Sequence, residues 1–176
     1  MKSSSQTCSL FIPCFIDQFF PQVGDATVQI LEGLGLQFQY PEEQTCCGQF
    51  ALTVGDTDTA RRLARHFLRV FSGSRDIICP SASCTLTVRR EYPLLAGTPR
   101  AARQVRSVTS RVFELSEWLA AQGSLPWRPR FEGVLALHRS CKARELGVLE
   151  NAAALLEQVQ GLTVTEVKGF GRQKGQ

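Results

Sequence analysis

Seven cysteines are spread over 176 residues, and two of them stand side by side in "TCCGQF", residues 45–50. Adjacent cysteines rarely bond to each other, because the ring they would close is strained and neighbouring side chains diverge in a regular strand or helix. Two thiols at one turn suit a soft metal or a redox centre instead. The remaining spacing is long: thirty-one residues separate Cys14 from Cys46, and thirty-six separate Cys47 from Cys84. A typical structural zinc site draws on closely spaced pairs, so a centre with this spacing has to be gathered by the fold from several loops. An iron–sulfur cluster, usually held by four thiolates, and a four-cysteine zinc both match the ligand type. Thiol–disulfide exchange is a third chemistry, although Cys79 and Cys84 have four residues between them rather than the two of the usual redox motif.

The elements that would position these thiols alternate between strand and helix. "CSLFIPC" (8–14) reads as a short buried strand, and "PQVGDATVQILEGLG" (21–35) as a helix opened by Pro21 and closed by glycines. "LQFQY" (36–40) alternates as a strand does. In "GDTDTARRLARHFLRVFSGS" (55–74) apolar residues fall on one helical face and arginines on the other, with Asp56 and Asp58 suited to the first turn. "RDIIC" (75–79) is a strand, and a turn and helix follow it. Val108, Val112, Leu115 and Leu119 predict one helix over 107–121, after which "GSLPWRPRFEG" is a connector. "GVLALHRSC" (133–141), "LENAAALLEQVQG" (149–161) and "LTVTEV" (162–167) complete the series as strand, helix and strand.

Such alternation predicts an α/β fold with parallel strands flanked by helices on both faces. The carboxyl ends of parallel strands share one edge, where ligands bind. Cys14, Cys46, Cys47, Cys79, Cys84 and Cys141 all fall at or just after strands, so the fold is expected to bring distant thiols to one rim. The halves also look alike: "LFIPCFIDQ", a helix and "LQFQY" correspond to "LALHRSCKARELG", a helix and "LTVTEV". The interval from Cys14 to Cys46, laid off from Cys141, lands on Gln173, where no cysteine stands.

Other residues take plainer roles. Cys8 and Cys79 are expected in the core, with Cys79 a spare ligand as the alternative. His138 reads as a hydrogen-bonding residue at a strand end and His66 as solvated, while Trp118 and Trp127 serve packing. Gly48 is expected to adopt a backbone conformation that other residues resist and to let N–H groups approach sulfur. The net charge of +4 comes with no basic run interleaved with stacking aromatics, so a solvated arginine face is expected and not a nucleic-acid surface. No segment has the apolar length of a membrane helix, and the N-terminus makes a poor secretory signal. With an odd cysteine count, these features point to a reducing cytoplasm and to metal or redox chemistry in place of disulfides.

In sequence, "FIPCFID", "TCCGQ", "CPSASCTLTVRREYP" and "HRSCKARELG" together resemble the cysteine-rich CCG domain family. That family includes the B subunit of heterodisulfide reductase, the iron–sulfur subunit of glycolate oxidase and lactate utilisation protein A, and the likeness is strongest to the last kind. The resemblance implies a duplicated α/β fold and clusters of the [4Fe–4S] type. It also implies electron transfer, alongside other subunits of a lactate-oxidising complex, during oxidation of lactate to pyruvate. It makes Cys14, Cys46, Cys47 and Cys84 the ligands of a first site and Cys141 the first ligand of a second. The full family motif has a further cysteine where this chain has Thr87, which leaves four-sulfur ligation. The chain is expected to divide into residues 1–106, with the complete cysteine set, and 107–176, a connecting helix and a partial second half that reads as truncated or degenerate. An electron-transfer subunit of an oxidoreductase is thus the leading expectation. A zinc- or thiol-stabilised binding module and a thiol–disulfide oxidoreductase stand as alternatives.

Overall fold

The computed structural model describes residues 7–123 and 125–166. The chain runs through β1 (Thr7–Leu10), α1 (Cys14–Phe19), α2 (Pro21–Gly33), β2 (Gln37–Gln39), α3 (Gln49–Thr53), α4 (Thr57–Val70) and β3 (Asp76–Cys79). After α5 (Ala82–Leu86) comes a π-helical turn at Thr87–Glu91, then α6 (Tyr92–Leu95), α7 (Pro99–Thr109), β4 (Val112–Glu114) and α8 (Leu115–Ala121). β5 (Arg130–Leu137), α9 (Cys141–Leu146), α10 (Leu149–Leu156) and β6 (Gln160–Glu166) follow.

Four strands form a parallel sheet in the order β2-β1-β3-β4, and β5 and β6 form a second, two-stranded parallel sheet. Strand side chains alternate between faces, and the core divides accordingly. Phe11, Ile77, Cys79 and Val112 join Phe67, Phe71 and Tyr92 on one face, toward α4, α6 and α7. Cys8, Leu10 and Ile78 join Leu31, Trp118 and Leu119 on the other, toward α2 and α8. The expected α/β architecture, parallel strands flanked by helices, is what the chain adopts.

Three expectations about elements are corrected. The single helix over 107–121 is in fact the end of α7, all of β4 and all of α8. Val112 and Phe113 pair with Ile77 and Ile78 of β3, and the Glu114 side chain accepts the backbone N–H groups of Ser116 and Glu117, starting a new helix with a capping box. The helical spacing of Val108, Val112, Leu115 and Leu119 therefore runs across three elements and two core faces. The first strand ends at Leu10 instead of running to residue 14: Pro13 leads into α1, and Cys14 is that helix's first residue. The stretch 133–141 is strand only to Leu137, and Cys141 begins α9.

The order β5-α9-α10-β6 repeats β1-α1-α2-β2, with parallel strand pairing in both. Cys14 and Cys141 each open the first helix of their unit. The last residue of the expected strand 162–167 and the counterpart position Gln173 lie outside the described residues. Arg90 ties the second unit to the first, meeting the Glu145 carboxylate at 2.5 Å and its carbonyl at 2.9 Å.

Candidate metal or redox centre

Three loops leaving β1, β2 and β3 carry the four thiols. β1 runs into Phe11, whose N–H still bonds to Ile78 O at 2.9 Å, and Pro13 then turns the chain so that Cys14 starts α1. β3 ends in Cys79, and Ser81 caps α5 through a hydrogen bond from Cys84 N. Cys84 is thereby fixed in a buried first turn.

The loop from β2 has no strand to hold it, and side chains do so instead. The Gln44 amide accepts Ile12 N–H at 2.8 Å and donates to Leu10 O at 3.2 Å and Pro41 O at 3.0 Å, clasping the Cys14 loop to the Cys46 loop. His66 Nε2 meets Glu43 O at 2.5 Å while its Nδ1 is met by Arg69 at 2.7 Å. His66 is therefore a half-buried tether and not the solvated residue its arginine-rich surroundings suggested. From below, the buried Tyr92 hydroxyl donates to Cys47 O at 3.0 Å. Gly48 has φ +80°, and its N–H donates to Cys46 Sγ at 3.3 Å. The two properties expected of this glycine, a left-handed backbone and an N–H on sulfur, are both present.

In this setting Cys14, Cys46, Cys47 and Cys84 meet in a row: Cys14 contacts Cys46, Cys46 contacts Cys47, and Cys47 contacts Cys84. Cys14, Cys47 and Cys84 also line a cavity of about 200 Å³, whose wall includes Phe15, Phe50, Ser81 and Ser83. Among the described residues no three His, Cys, Asp or Glu side chains are set to hold a metal ion as they stand.

Protons are distributed unevenly along the row. Hydrogen bonding from Cys47, then from Gly48 N–H and Cys14, outweighs burial and pulls the Cys46 thiol down to about 5. Cys47 in turn lowers Cys84 to about 7, assisted by Ser81 and Ser83. Cys47 itself is driven up by Cys46, Cys84 and burial, and burial together with Cys46 raises Cys14 to about 11. The row thus alternates between groups that keep a proton and groups that give one up near neutrality, and thiolates are the metal-binding form.

Of the other candidates, Cys79 packs beside the row in the same buried cluster as Cys47 and Cys84, and the rest lie away from it. Cys141 is exposed at the start of α9, where Arg144 reaches its sulfur at 3.5 Å. Cys79 is fully buried in β3, with its thiol raised by burial and then by the charge of Cys84. Cys8 is buried on the opposite sheet face. His138 is exposed, and its carbonyl accepts Ser140 N–H. Trp118 is buried and donates to Asp76, while Trp127 lies against Gly33. Gln44, His66 and Tyr92 are the residues that spacing did not reveal.

Residues 8–89 match the family model of the cysteine-rich domain termed CCG, a span that holds all four thiols of the row and ends before Cys141. Lactate utilization protein A of Bacillus thuringiensis (strain Al Hakam) is 35% identical over 178 residues, covering 93% of this chain and 72% of the relative. The protein of that name from Bacillus cereus (strain AH187) and lactate utilization protein A 2 of Bacillus anthracis (strain CDC 684 / NRRL 3495) match with the same identity and coverage.

Proposed function

The chain belongs to the lactate utilization protein A family, and from that premise we propose that it is an iron–sulfur electron-transfer protein of lactate oxidation to pyruvate. In this reading Cys14, Cys46, Cys47 and Cys84 hold one cluster of the [4Fe–4S] type. The observation that carries it is the meeting of these four thiols, from three separate loops, beside a cavity of about 200 Å³. The donor set fits the group: four soft sulfur ligands, two of them ready thiolates near neutrality, with a backbone N–H already aimed at one sulfur. Such a cluster accepts and releases one electron at a time.

The chain's own residues supply the frame. Gln44 and Tyr92 hold the Cys46–Cys47 turn against the Cys14 loop, and Gly48 N–H withdraws charge from Cys46 sulfur. Phe15 and Phe50 give the cavity an apolar wall. Cys14 and Cys47 lose their protons on ligation, so loading is coupled to proton release. The electron goes to other subunits of a lactate-oxidising complex, in a reducing cytoplasm that suits seven free cysteines. The two β-α-α-β units are CCG-type halves, with Cys141 the first ligand position of the second.

Anaerobic purification followed by iron and sulfide analysis tests this reading. A brown protein with a four-iron content, lost in Cys84→Ser and kept in Cys141→Ser, is the expected result. Colourless protein with one zinc would establish the binding-module alternative. A metal-free chain with one unusually alkylatable thiol would establish thiol–disulfide chemistry.

A further inference from the structure

α4 carries Arg61, Arg62, Arg65 and Arg69, and α7 carries Arg100, Arg103 and Arg106, against Asp58 as the single carboxylate within these two helices. The two helices pack against each other and against α6. Between them lies a cleft of about 220 Å³, separate from the cysteine cavity. Its walls are apolar, formed by Leu68, Ala101 and Val105 with the buried ring of Tyr92, while Arg61 and Arg65 supply its charge. The acidic partner of Arg61 is Asp58 at 3.2 Å, an exposed pair of little energetic weight. Arg65 has no hydrogen-bond or ion-pair partner among the described residues.

We infer that this cleft is a binding site for a small monocarboxylate with a short apolar chain. The apolar lining favours a hydrocarbon body over a polyol or an inorganic anion, because an apolar wall gives a polar group no hydrogen bond in exchange for its water. The arginines favour an anionic head, and a guanidinium fork matches a carboxylate in a bidentate way. The volume accommodates roughly seven water-sized groups, which suits a six-carbon acid and is too small for a lipid chain. The ring forming part of the cleft belongs to the same tyrosine that holds Cys47 from below, so the site sits one side chain away from the thiol row.

Hexanoate is the probe, titrated into the full-length protein by calorimetry with lactate and hexanol as comparisons. Saturable binding of hexanoate, with hexanol and lactate each clearly weaker, is expected. Arg65→Gln should weaken hexanoate about tenfold or more, the scale of a lost hydrogen bond to a charged group, and Ala101→Leu should abolish binding by filling the cleft. Should Ala101→Leu fail to fold, Arg65→Gln at an exposed position still decides the matter. The inference is overturned if hexanoate gives no saturable signal, if hexanol binds as well, or if Arg65→Gln binds hexanoate undiminished. Iron content is read independently, so failure here leaves the cluster reading standing, and the reverse holds as well.

Discussion

Replacing Gly48 by alanine separates the fold's demand on this residue from the site's. Gly48 and Gly55 flank α3, and both have φ +80°. An L-residue in the left-handed region costs about 1–2 kcal/mol, against which alanine recovers about 0.4–1 kcal/mol from the unfolded chain. A Cβ on Gly55 meets nothing within 4 Å, so Gly55→Ala carries the backbone strain alone. A Cβ on Gly48 meets Leu63 Cδ1 at 3.4 Å, Leu63 Cβ at 3.5 Å and Ala60 Cα at 3.6 Å, ordinary van der Waals distances that add no clash. Both variants should therefore lose about 1 kcal/mol by urea denaturation, or about 2–4 °C in Tm for a chain of this size. They should differ at the site, because alanine's resistance to φ +80° moves the residue-48 N–H off Cys46 sulfur, whereas the residue-55 N–H meets no sulfur. Gly48→Ala should retain less iron after anaerobic reconstitution, while Gly55→Ala retains the wild-type amount. Equal iron retention in the two variants would refute the argument that Gly48 serves the sulfur as well as the turn.

Two further outcomes can be checked by denaturation. Tyr92→Phe keeps the ring that packs edge-on against Phe67 at 5.6 Å but withdraws the donor to Cys47 O; a loss of about 1–3 kcal/mol is expected for a buried carbonyl left without its partner, and an unchanged urea midpoint would mean that the hydroxyl does not hold the turn. Glu114 is raised above its ordinary 4.5 by burial, partly offset by its helix-capping hydrogen bonds. The native state therefore holds this proton more tightly than the unfolded chain, so its contribution to stability is present below pH 4.5 and declines as pH rises toward the raised value. Glu114→Gln, which keeps an oxygen for the cap, should gain on the wild type progressively across that window, and a pH-independent difference would contradict the assignment.

The architecture and the thiol row were legible because both rest on periodicity and spacing. Strand-then-cysteine occurs three times in the first half, and parallel strands force those positions to one rim. What stayed hidden has physical reasons. β4 is only three residues long, and its Val112 happened to continue a helical spacing between two helices. The signal that would have divided them was Glu114 three residues before Glu117, a capping-box pattern with a carboxylate in the capping position. Gln44 and His66 hold the loop before the cysteine pair through hydrogen bonds to backbone carbonyls, and such bonds depend on where two loops meet, which no one-dimensional pattern encodes. Tyr92 falls in the helical stretch after β3, and its hydroxyl acquires a role only once the turn at Cys47 sits above it.

If the row holds a cluster as proposed, the fastening of the Cys46–Cys47 turn bears on its electron exchange. Gln44, His66 and Tyr92 restrain it from three directions, using contacts within the protein that do not pass through any sulfur. A frame held in this way changes little when the charge it encloses changes by one unit. The nuclear rearrangement accompanying each hop at such a cluster would then be small, and the activation barrier set by that rearrangement would be low in both directions. Slackening any one of the three fastenings should slow electron hopping in oxidation and reduction alike.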